Sequence, residues 1–164
     1  MMMVKMDYAS LLGTLTLASD GKAITGLWIA GQKYFAAGIP TNLPVCADLP
    51  VFLQARDWLD RYFAGERPLP GELPLAPQGS AFGQRVWDVL LEIPYGQTMT
   101  YGEIARRIGC KSAQAVGGAV GHNPISIIIP CHRVLGSDGS LTGYAGGVDK
   151  KIWLFAHEGA QFRA

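Results

Sequence analysis

Cysteine is scarce in this chain of 164 residues, and its spacing excludes two of its common uses. The three cysteines, Cys46, Cys110 and Cys131, form no Cys-x-x-Cys pair and no set with the spacing of metal ligands. An odd and sparse set is typical of reduced thiols in the cytoplasm rather than of a disulfide framework. We therefore expect a cytoplasmic protein without a metal site.

Long apolar runs are missing as well. No stretch approaches the roughly 18 apolar residues of a membrane span, and the N-terminal sequence MMMVKMDYAS lacks the apolar segment of a signal peptide. Hydrophobic residues nevertheless make up 49% of the chain, against 16% charged residues. This composition predicts a soluble protein with a packed core and no membrane partner.

An excess of charge of either sign is also absent. The formal net charge is +1, so no basic tail is available to hold nucleic acid by charge alone. The residues before Gly79 contain six Lys and Arg against seven Asp and Glu, and the rest contain eight against six. The second half is therefore slightly basic, which indicates a nucleic-acid partner only if a motif supports it.

The first half of the chain has the pattern of a small α/β domain. Apolar residues in segments 11–18 and 23–30 flank a Ser-Asp-Gly turn, which predicts a β-hairpin or two neighbouring strands. Apolar residues recur at helical spacing over 51–63, and Gly65 can end that helix.

A domain boundary is predicted in segment 67–79, which contains four prolines and two glycines. Such a composition is typical of a linker. We therefore predict an N-terminal domain over 1–79, including this Pro-rich linker, and a second domain over 80–164.

Capping signals predict helices in the second half. Ser80 can cap a helix that a Pro-Tyr-Gly turn ends. Thr100 and Glu103 form a capping box at the start of the next helix, which Gly109 ends. Ser112 begins a further short helix, so the two form a helix-turn-helix candidate.

The second of these helices is rich in small residues. Gly117 and Gly118 in its interior each cost about 1 kcal/mol relative to Ala, and they allow another surface to approach closely. On composition alone, packing against another helix is the favoured explanation. The apolar run 125–129 that follows predicts a buried strand leading to Pro130 and Cys131.

Cys131 is followed by two basic side chains, which can lower the pKa of a thiol and raise its reactive thiolate fraction. On a regular strand Cys131 and His132 would point to opposite faces. The two side chains can cooperate only if the chain leaves extended geometry there, or if a water bridges them. From spacing alone, a buried and inert cysteine remains the favoured explanation.

The order of several short motifs changes that assessment. The motifs are Tyr-Gly-Glu-Ile-Ala at 101–105, Ala-Val-Gly at 115–117, Asn-Pro at 123–124, Ile-Pro-Cys-His-Arg-Val at 129–134, Gly-Tyr-Ala-Gly-Gly at 143–147 and Trp-Leu-Phe-Ala-His-Glu-Gly at 153–159. In this order they resemble the O6-alkylguanine-DNA alkyltransferase family. The resemblance covers roughly 82–159 and is highly specific, whereas the first half matches loosely.

This resemblance implies a fold and a reaction. The N-terminal domain is expected to be α/β, with a small antiparallel sheet plus helix similar to a ribonuclease H core. A mostly helical domain with a helix-turn-helix follows. The implied function is repair of DNA by a single-turnover methylated-DNA–[protein]-cysteine S-methyltransferase, which flips out O6-alkylguanine and transfers the alkyl group irreversibly to its own Cys131. The implied partner is double-stranded DNA, bound in the minor groove by a monomer without a cofactor.

The resemblance also implies catalytic roles for four residues. Cys131 is the nucleophile. His132, through a water, and Glu158 draw off the thiol proton, following the nucleophile–base–orienter scheme of activated nucleophiles. Tyr101 donates a proton to the leaving guanine and rotates the phosphate of the nucleotide.

Further residues are expected to bind the base and the DNA. Asn123 is the hinge between the reading helix and the active site, and Val134 lies beside the base. The wall that holds the alkylated base is formed by Tyr144, Ala145 and Gly146. The residues expected to contact DNA are Thr100, Gln114, Ala115, Gly117, Gly118 and Arg133.

One position departs from the family pattern. Family members have an Arg before the Ala-Val-Gly of the reading helix, where it fills the gap left by the flipped base, and this chain has Gln114. Because Gln is shorter and uncharged, we expect weaker base flipping. Gln114 also keeps open a second function, that of an alkyltransferase-like module that binds the lesion with weak or no transfer.

A papain-type hydrolase and a non-catalytic regulator fit the sequence less well. A papain-type hydrolase normally has its cysteine at the start of a helix and its histidine far away in sequence. A helix-turn-helix regulator without catalytic activity leaves the motif at 129–134 unexplained.

Overall fold

The computed structural model describes residues 3–31, 43–139 and 147–159. The chain forms two compact units. The first contains Met1–Gln78 together with Pro124–Ser126, and the second contains Gly79–Asn123 together with Ile127–Ala164. The assignment of separate domains to 1–79 and 80–164 stays a prediction. Within the described ranges, no helix is both long and apolar enough to cross a membrane.

The first unit is built on an antiparallel sheet of three strands in the order β1-β2-β3. The strands are β1 Val4–Ser10, β2 Gly13–Ser19 and β3 Ile24–Ile29. Leu15 and Leu17 lie two residues apart in β2, on the same face of the strand, and both are fully buried, as expected for a strand with one face on the core. The predicted hairpin of β2 and β3 is confirmed, whereas the residue pattern did not locate β1.

One helix, α1 Pro50–Phe63, completes the core of this unit. Pro50 starts it at a position where a missing backbone N–H does no harm. Its apolar residues at helical spacing are buried, as predicted, including Phe52 and Leu59. The indole of Trp58 donates to the Leu69 carbonyl at 2.8 Å, which fastens the Pro-rich segment to the helix.

The second unit is mostly helical. Its helices are α2 Ala81–Leu90, α3 Tyr101–Ile108, α4 Ala113–Gly121 and α5 Val148–Glu158. The two predicted caps, Ser80 and Thr100, are confirmed, because each side chain accepts a hydrogen bond from the backbone N–H three residues later. Ser112, where a helix was predicted to begin, accepts the same bond. Gly109 ends α3 with a φ of 72°, the left-handed conformation that favours glycine.

Helices α3 and α4 form the predicted helix-turn-helix, and Trp87 of α2 supports it from behind. The Trp87 indole donates to the Ala119 carbonyl of α4 at 2.9 Å. Its ring lies so close to Gly79 that a Cβ at this position would be 2.4 Å from a ring carbon. The absence of a side chain at Gly79 therefore lets the indole reach α4.

The prediction of a buried strand over 125–129 is wrong. Only Ile125 forms a bridge, parallel to Leu27 of β3, with Leu27 N–H donating to the Pro124 carbonyl and Ser126 N–H donating to the Leu27 carbonyl. The chain then turns, and Ile127 has a φ of 70°. The apolar side chains are buried as expected, because an irregular segment buries them as well as a strand does.

Candidate active site

Cys131 lies where the chain leaves the irregular segment. Pro130, with φ −82° and ψ 65°, is the central residue of an inverse γ-turn, and Cys131 N–H donates across it to the Ile129 carbonyl at 2.8 Å. A single 3-10 turn, Cys131–Arg133, follows directly. The chain therefore leaves extended geometry at Cys131, as cooperation between Cys131 and His132 requires. Val134–Leu135 (β5) then pairs in parallel with Met99–Thr100 (β4).

Helix α5 supplies the other side of the site. Its buried residues are Lys151, Leu154, Phe155 and Glu158. This is the i, i+3, i+4, i+7 spacing of a single helix face, with a charged residue at each end of an apolar centre. The same face packs against the 3-10 turn that carries Cys131.

The carboxylate of Glu158 accepts four hydrogen bonds in the buried interior. Oε1 receives Arg133 Nε at 2.8 Å and the backbone N–H of Gly96 at 3.1 Å. Oε2 receives His132 Nε2 at 2.7 Å and Arg133 Nη2 at 3.0 Å. Burial alone would raise the pKa of Glu158, but the hydrogen bonds from His132 and Arg133, together with the charge of Arg133, outweigh it and hold the pKa well below its usual range. Glu158 is therefore ionised.

The tautomer of His132 follows from that bond. An ionised carboxylate only accepts, so Nε2 of His132 carries the proton and Nδ1 has a free lone pair. Nδ1 is buried and has no hydrogen-bond partner within the described part of the chain. Burial lowers the pKa of His132 below its ordinary value, against the opposing effect of Glu158. The side chain is a neutral imidazole at neutral pH, with a basic nitrogen available to a neighbouring group.

Arg133, for which the sequence predicted a DNA contact, lies inside this cluster. The residue is only 6% exposed. Besides its bonds to Glu158, it donates from Nη1 to the Ile93 carbonyl at 2.7 Å and lies over the Tyr95 ring, 5.7 Å from its centre. The guanidinium of Arg133 is therefore buried and held by Glu158 and by the turn after α2, and its contact with DNA stays a prediction.

Two parts of the cluster were missed in the sequence. One is the turn after α2, where the Ile93 carbonyl and the Gly96 N–H contact Arg133 and Glu158; it was interpreted only as a helix stop. The other is Lys151, whose ammonium has no exposed surface and donates to the Val134 carbonyl at 2.6 Å. The position of Lys151, seven residues before Glu158 on one helix face, was the available signal.

Lys151 is electrically coupled to the cysteine. Burial lowers the pKa of Lys151 to about 8, and the charge of a Cys131 thiolate acts in the opposite direction. The same ammonium contributes to lowering the pKa of His132. A positive charge near Cys131 favours its thiolate form.

The helix-turn-helix brings several of the expected DNA-binding residues together. Thr100 caps α3, and Tyr101 is its first residue, half-buried. A Cβ at Gly117 of α4 would lie 3.8 Å from the Tyr101 ring, an ordinary contact distance. The side of α4 that faces solvent includes Gln114, Ala115 and Gly118. A shallow, small-residue surface therefore lies beside Tyr101.

Asn123 and Val134 border the catalytic segment. Asn123 is 3% exposed, and its side-chain amide donates to the Ile129 carbonyl at 2.8 Å, closing the irregular segment that leads to Cys131. Val134 is fully buried in β5. The expected base-binding residues Tyr144, Ala145 and Gly146 lie outside the described residues. Among the described residues, no three His, Cys, Asp or Glu side chains are grouped to hold a metal ion.

Comparison with protein families covers nearly the whole chain. Residues 3–77 match the family model of the 6-O-methylguanine DNA methyltransferase ribonuclease-like domain. Residues 81–160 match the DNA binding domain of 6-O-methylguanine DNA methyltransferase.

Individual relatives agree with these matches. The chain is 47% identical over 152 residues to a methylated-DNA–protein-cysteine methyltransferase of Haemophilus influenzae, covering 92% of this chain and 83% of the relative. It is 48% identical over 148 residues to the protein of the same name from Mycobacterium tuberculosis, covering 90% and 87%.

Solved structures show the same similarity in three dimensions. The crystal structure of Mycobacterium tuberculosis O6-methylguanine methyltransferase is 42% identical, with a TM-score of 0.81 over 96% of this chain and 93% of that one. The structure of Mycobacterium tuberculosis OGT in complex with DNA is 44% identical, with a TM-score of 0.81 over 96% and 92%.

Proposed function

Because this chain belongs to the 6-O-methylguanine DNA methyltransferase family, we propose that it repairs DNA by transferring the alkyl group of O6-alkylguanine irreversibly to its own Cys131. Cys131 is assigned as the nucleophile because of the environment of the adjoining residue, His132. Its Nε2–H is held by ionised Glu158, and its basic Nδ1 is buried without a partner in the described ranges. This arrangement supplies a base, already oriented, next to a nucleophile.

The chemical step is a displacement at the alkyl carbon. Nδ1 of His132 takes the proton of Cys131 through a bridging water, leaving a thiolate. A sulfur electron pair forms the new C–S bond while the bond between that carbon and O6 breaks, and the electron pair of the broken bond stays on the guanine. The base then takes one proton, supplied by the Tyr101 hydroxyl. A thioether has no easy leaving path, so each molecule reacts once.

The alkylated guanine is stacked and paired in the duplex, so it must leave the duplex to enter the pocket beside Cys131, at a cost of a few kcal/mol. The small residues of α4 allow close approach to the minor groove, and Tyr101 lies beside them. Asn123, Val134 and the segment Tyr144, Ala145 and Gly146 are assigned to the pocket that receives the base. Gln114 takes the place of the flipped base within the duplex.

The chain acts as a monomer on double-stranded DNA and needs no cofactor, because the cysteine itself accepts the alkyl group. A reactive thiolate requires a compartment that keeps thiols reduced, which places the protein in the cytoplasm.

The direct test is the intact mass of the protein after incubation with duplex DNA containing O6-methylguanine. We expect a stoichiometric gain of one methyl group, which Cys131→Ser abolishes. Cys46→Ser and Cys110→Ser are matched controls that remove a different thiol, and both are expected to retain the gain.

A different outcome would point to a lesion-binding function. If no mass is gained while the alkylated DNA stays bound to the protein, the chain is a lesion-binding module and alkyl transfer is excluded. If the mass gain persists in Cys131→Ser, the nucleophile has been assigned to the wrong residue.

A further inference from the structure

Arg133 makes more directed contacts in the cluster than a simple counter-ion needs. It donates to both oxygens of Glu158 and to the Ile93 carbonyl, using three different nitrogens. The Tyr95 ring covers one face of the guanidinium. Arginine is always charged, and its planar group fits a carboxylate with two parallel bonds. The geometry therefore fixes both the position and the charge of the partner carboxylate.

The contacts of Glu158 leave little capacity for a proton. A carboxylate offers about four lone-pair directions, and four donors from His132, Arg133 and Gly96 already occupy them. Protonation of Glu158 would displace at least one of these donors inside a buried site. An unsatisfied buried donor costs about 1–3 kcal/mol, and more when it is charged.

The charges of Arg133 and Glu158 also cancel. A lone buried carboxylate beside His132 would favour the imidazolium form strongly. With Arg133 bonded to the same carboxylate, the net charge of the pair is zero. The other charged group near His132 on α5 is the Lys151 ammonium, which disfavours imidazolium. The charged residues Arg85 and Asp88 on α2, which also packs against the turn, are exposed.

From these contacts we infer that Arg133 is a positioning residue for the proposed reaction. By holding both oxygens of Glu158, it keeps that carboxylate a fixed and charge-balanced acceptor, so that the proton of Cys131 stops at His132. Arg133 thereby keeps His132 a neutral base before the reaction. This inference rests on the proposed function, because it assigns the place where the thiol proton goes during alkyl transfer.

The test is an NMR titration of His132 in a Cys131→Ser background, which removes the titration of the thiol. The signal is assigned by its loss in His132→Gln, because the chain contains two further histidines, His122 and His157. In Arg133→Gln the carboxylate charge is no longer balanced, so we expect the pKa of His132 to rise by about one unit or more, a tenfold change in proton affinity. The double variant Arg133→Gln/Glu158→Gln removes both charges and is expected to return the pKa to the value of the parent protein.

Arg133→Lys is the conservative variant, since it keeps the charge and loses the paired geometry. We expect it to leave the pKa of His132 low. The inference is overturned if Arg133→Gln fails to raise this pKa, or if the double variant raises it as much as the single one. If Arg133→Gln does not fold, the titrations of Arg133→Lys and of the double variant Arg133→Gln/Glu158→Gln decide. A raised pKa of His132 in either of them overturns the inference.

Single-turnover transfer, measured with Cys131 present, provides the second readout. We expect the acidic limb of the pH–rate profile to move to higher pH in Arg133→Gln and to stay in place in Arg133→Lys. An unchanged limb in Arg133→Gln overturns the inference. If the parent protein transfers no alkyl group while the titration behaves as expected, the proposed function fails and the charge arrangement stands.

Discussion

The ammonium of Lys151 donates a hydrogen bond of 2.6 Å to the backbone carbonyl of Val134, three residues beyond Cys131. Its side chain is fully buried on the face of α5 that also carries Glu158. The charges of Arg133 and Glu158 cancel, so Lys151 supplies an additional positive charge near Cys131. This charge has measurable consequences for stability.

The stability of the protein should depend on pH through Lys151. Its pKa is about 8 in the folded state and near 10.5 when unfolded, so between these values the unfolded chain binds more protons and stability rises with pH. In a Cys131→Ser background we expect the free energy of unfolding, relative to Lys151→Met, to rise in this window with a slope approaching about 1.4 kcal/mol per pH unit. Urea unfolding from pH 7 to pH 10 measures this free energy. A difference in the free energy of unfolding between the two proteins that stays constant with pH would contradict a buried charge at Lys151.

Alkyl transfer should lose rate on acidification through His132. Burial keeps the pKa of His132 below its ordinary value, so the base is neutral and the rate is level near neutral pH. The rate should fall once the pH drops through that lowered pKa. In His132→Asn we expect alkyl transfer to be slower. Its rate should follow the fraction of Cys131 present as thiolate, and should therefore rise about tenfold per pH unit at pH values below the pKa of the thiol.

Single-turnover rates between pH 5 and pH 8 check this prediction. His157→Asn is the matched control, since it removes a histidine of α5 that stacks on Trp153 at 4.8 Å. It should keep the profile of the parent protein. Parallel profiles for His132→Asn and the parent would remove His132 from the role of base.

Gln114 should limit the repair of duplex DNA. It is exposed in the first turn of α4, and Gln114→Arg restores the longer, charged side chain found in the family. We expect transfer to speed up more on duplex than on single-stranded substrate, because only a duplex leaves a gap when the base flips out.

Ala113→Arg separates flipping from simple charge. Ala113 is the exposed neighbour of Gln114 at the start of α4, and an arginine there adds the same charge. We expect it to change both substrates by a similar factor. If Gln114→Arg also affects both equally, position 114 has no role in flipping.

Asn123 should stabilise the segment that leads to Cys131. Its buried amide donates to the Ile129 carbonyl at 2.8 Å, and a buried hydrogen bond removed from one side costs about 1–3 kcal/mol. We expect Asn123→Ala to lower the free energy of unfolding by this amount and to slow transfer. Gln97→Ala, at an exposed position, should change stability by less than about 0.5 kcal/mol. Urea unfolding of both variants checks this, and similar small losses would contradict the role of Asn123.

Helix starts were predictable from sequence because caps are local. Ser80, Thr100 and Ser112 each accept a bond from a residue only three positions away. Because the donor is a backbone N–H, only the cap position needs a particular residue type, and it can be identified within a short window of sequence.

The error over 125–129 has the opposite cause. An apolar run indicates burial but does not specify geometry. The backbone of Pro124 and Ser126 bonds to Leu27, nearly a hundred residues earlier in the chain. Nothing within the run indicates that only these few residues join the sheet.

The sequence by itself determined the family, the helix-turn-helix and the pairing of a cysteine with an adjoining histidine, because these depend on motif order and on short-range bonds. Tertiary structure decided where the charges of Arg133 and Lys151 lie and which groups they contact. A basic residue beside the nucleophile is equally compatible with a DNA contact and with a buried ion pair. The outcome depends on Glu158, 25 residues away, and on the turn at Ile93 and Gly96, which meet Arg133 and Glu158 only when the helices pack. Because a buried charge is stable only with its partners in place, that packing determines the chemistry of the site.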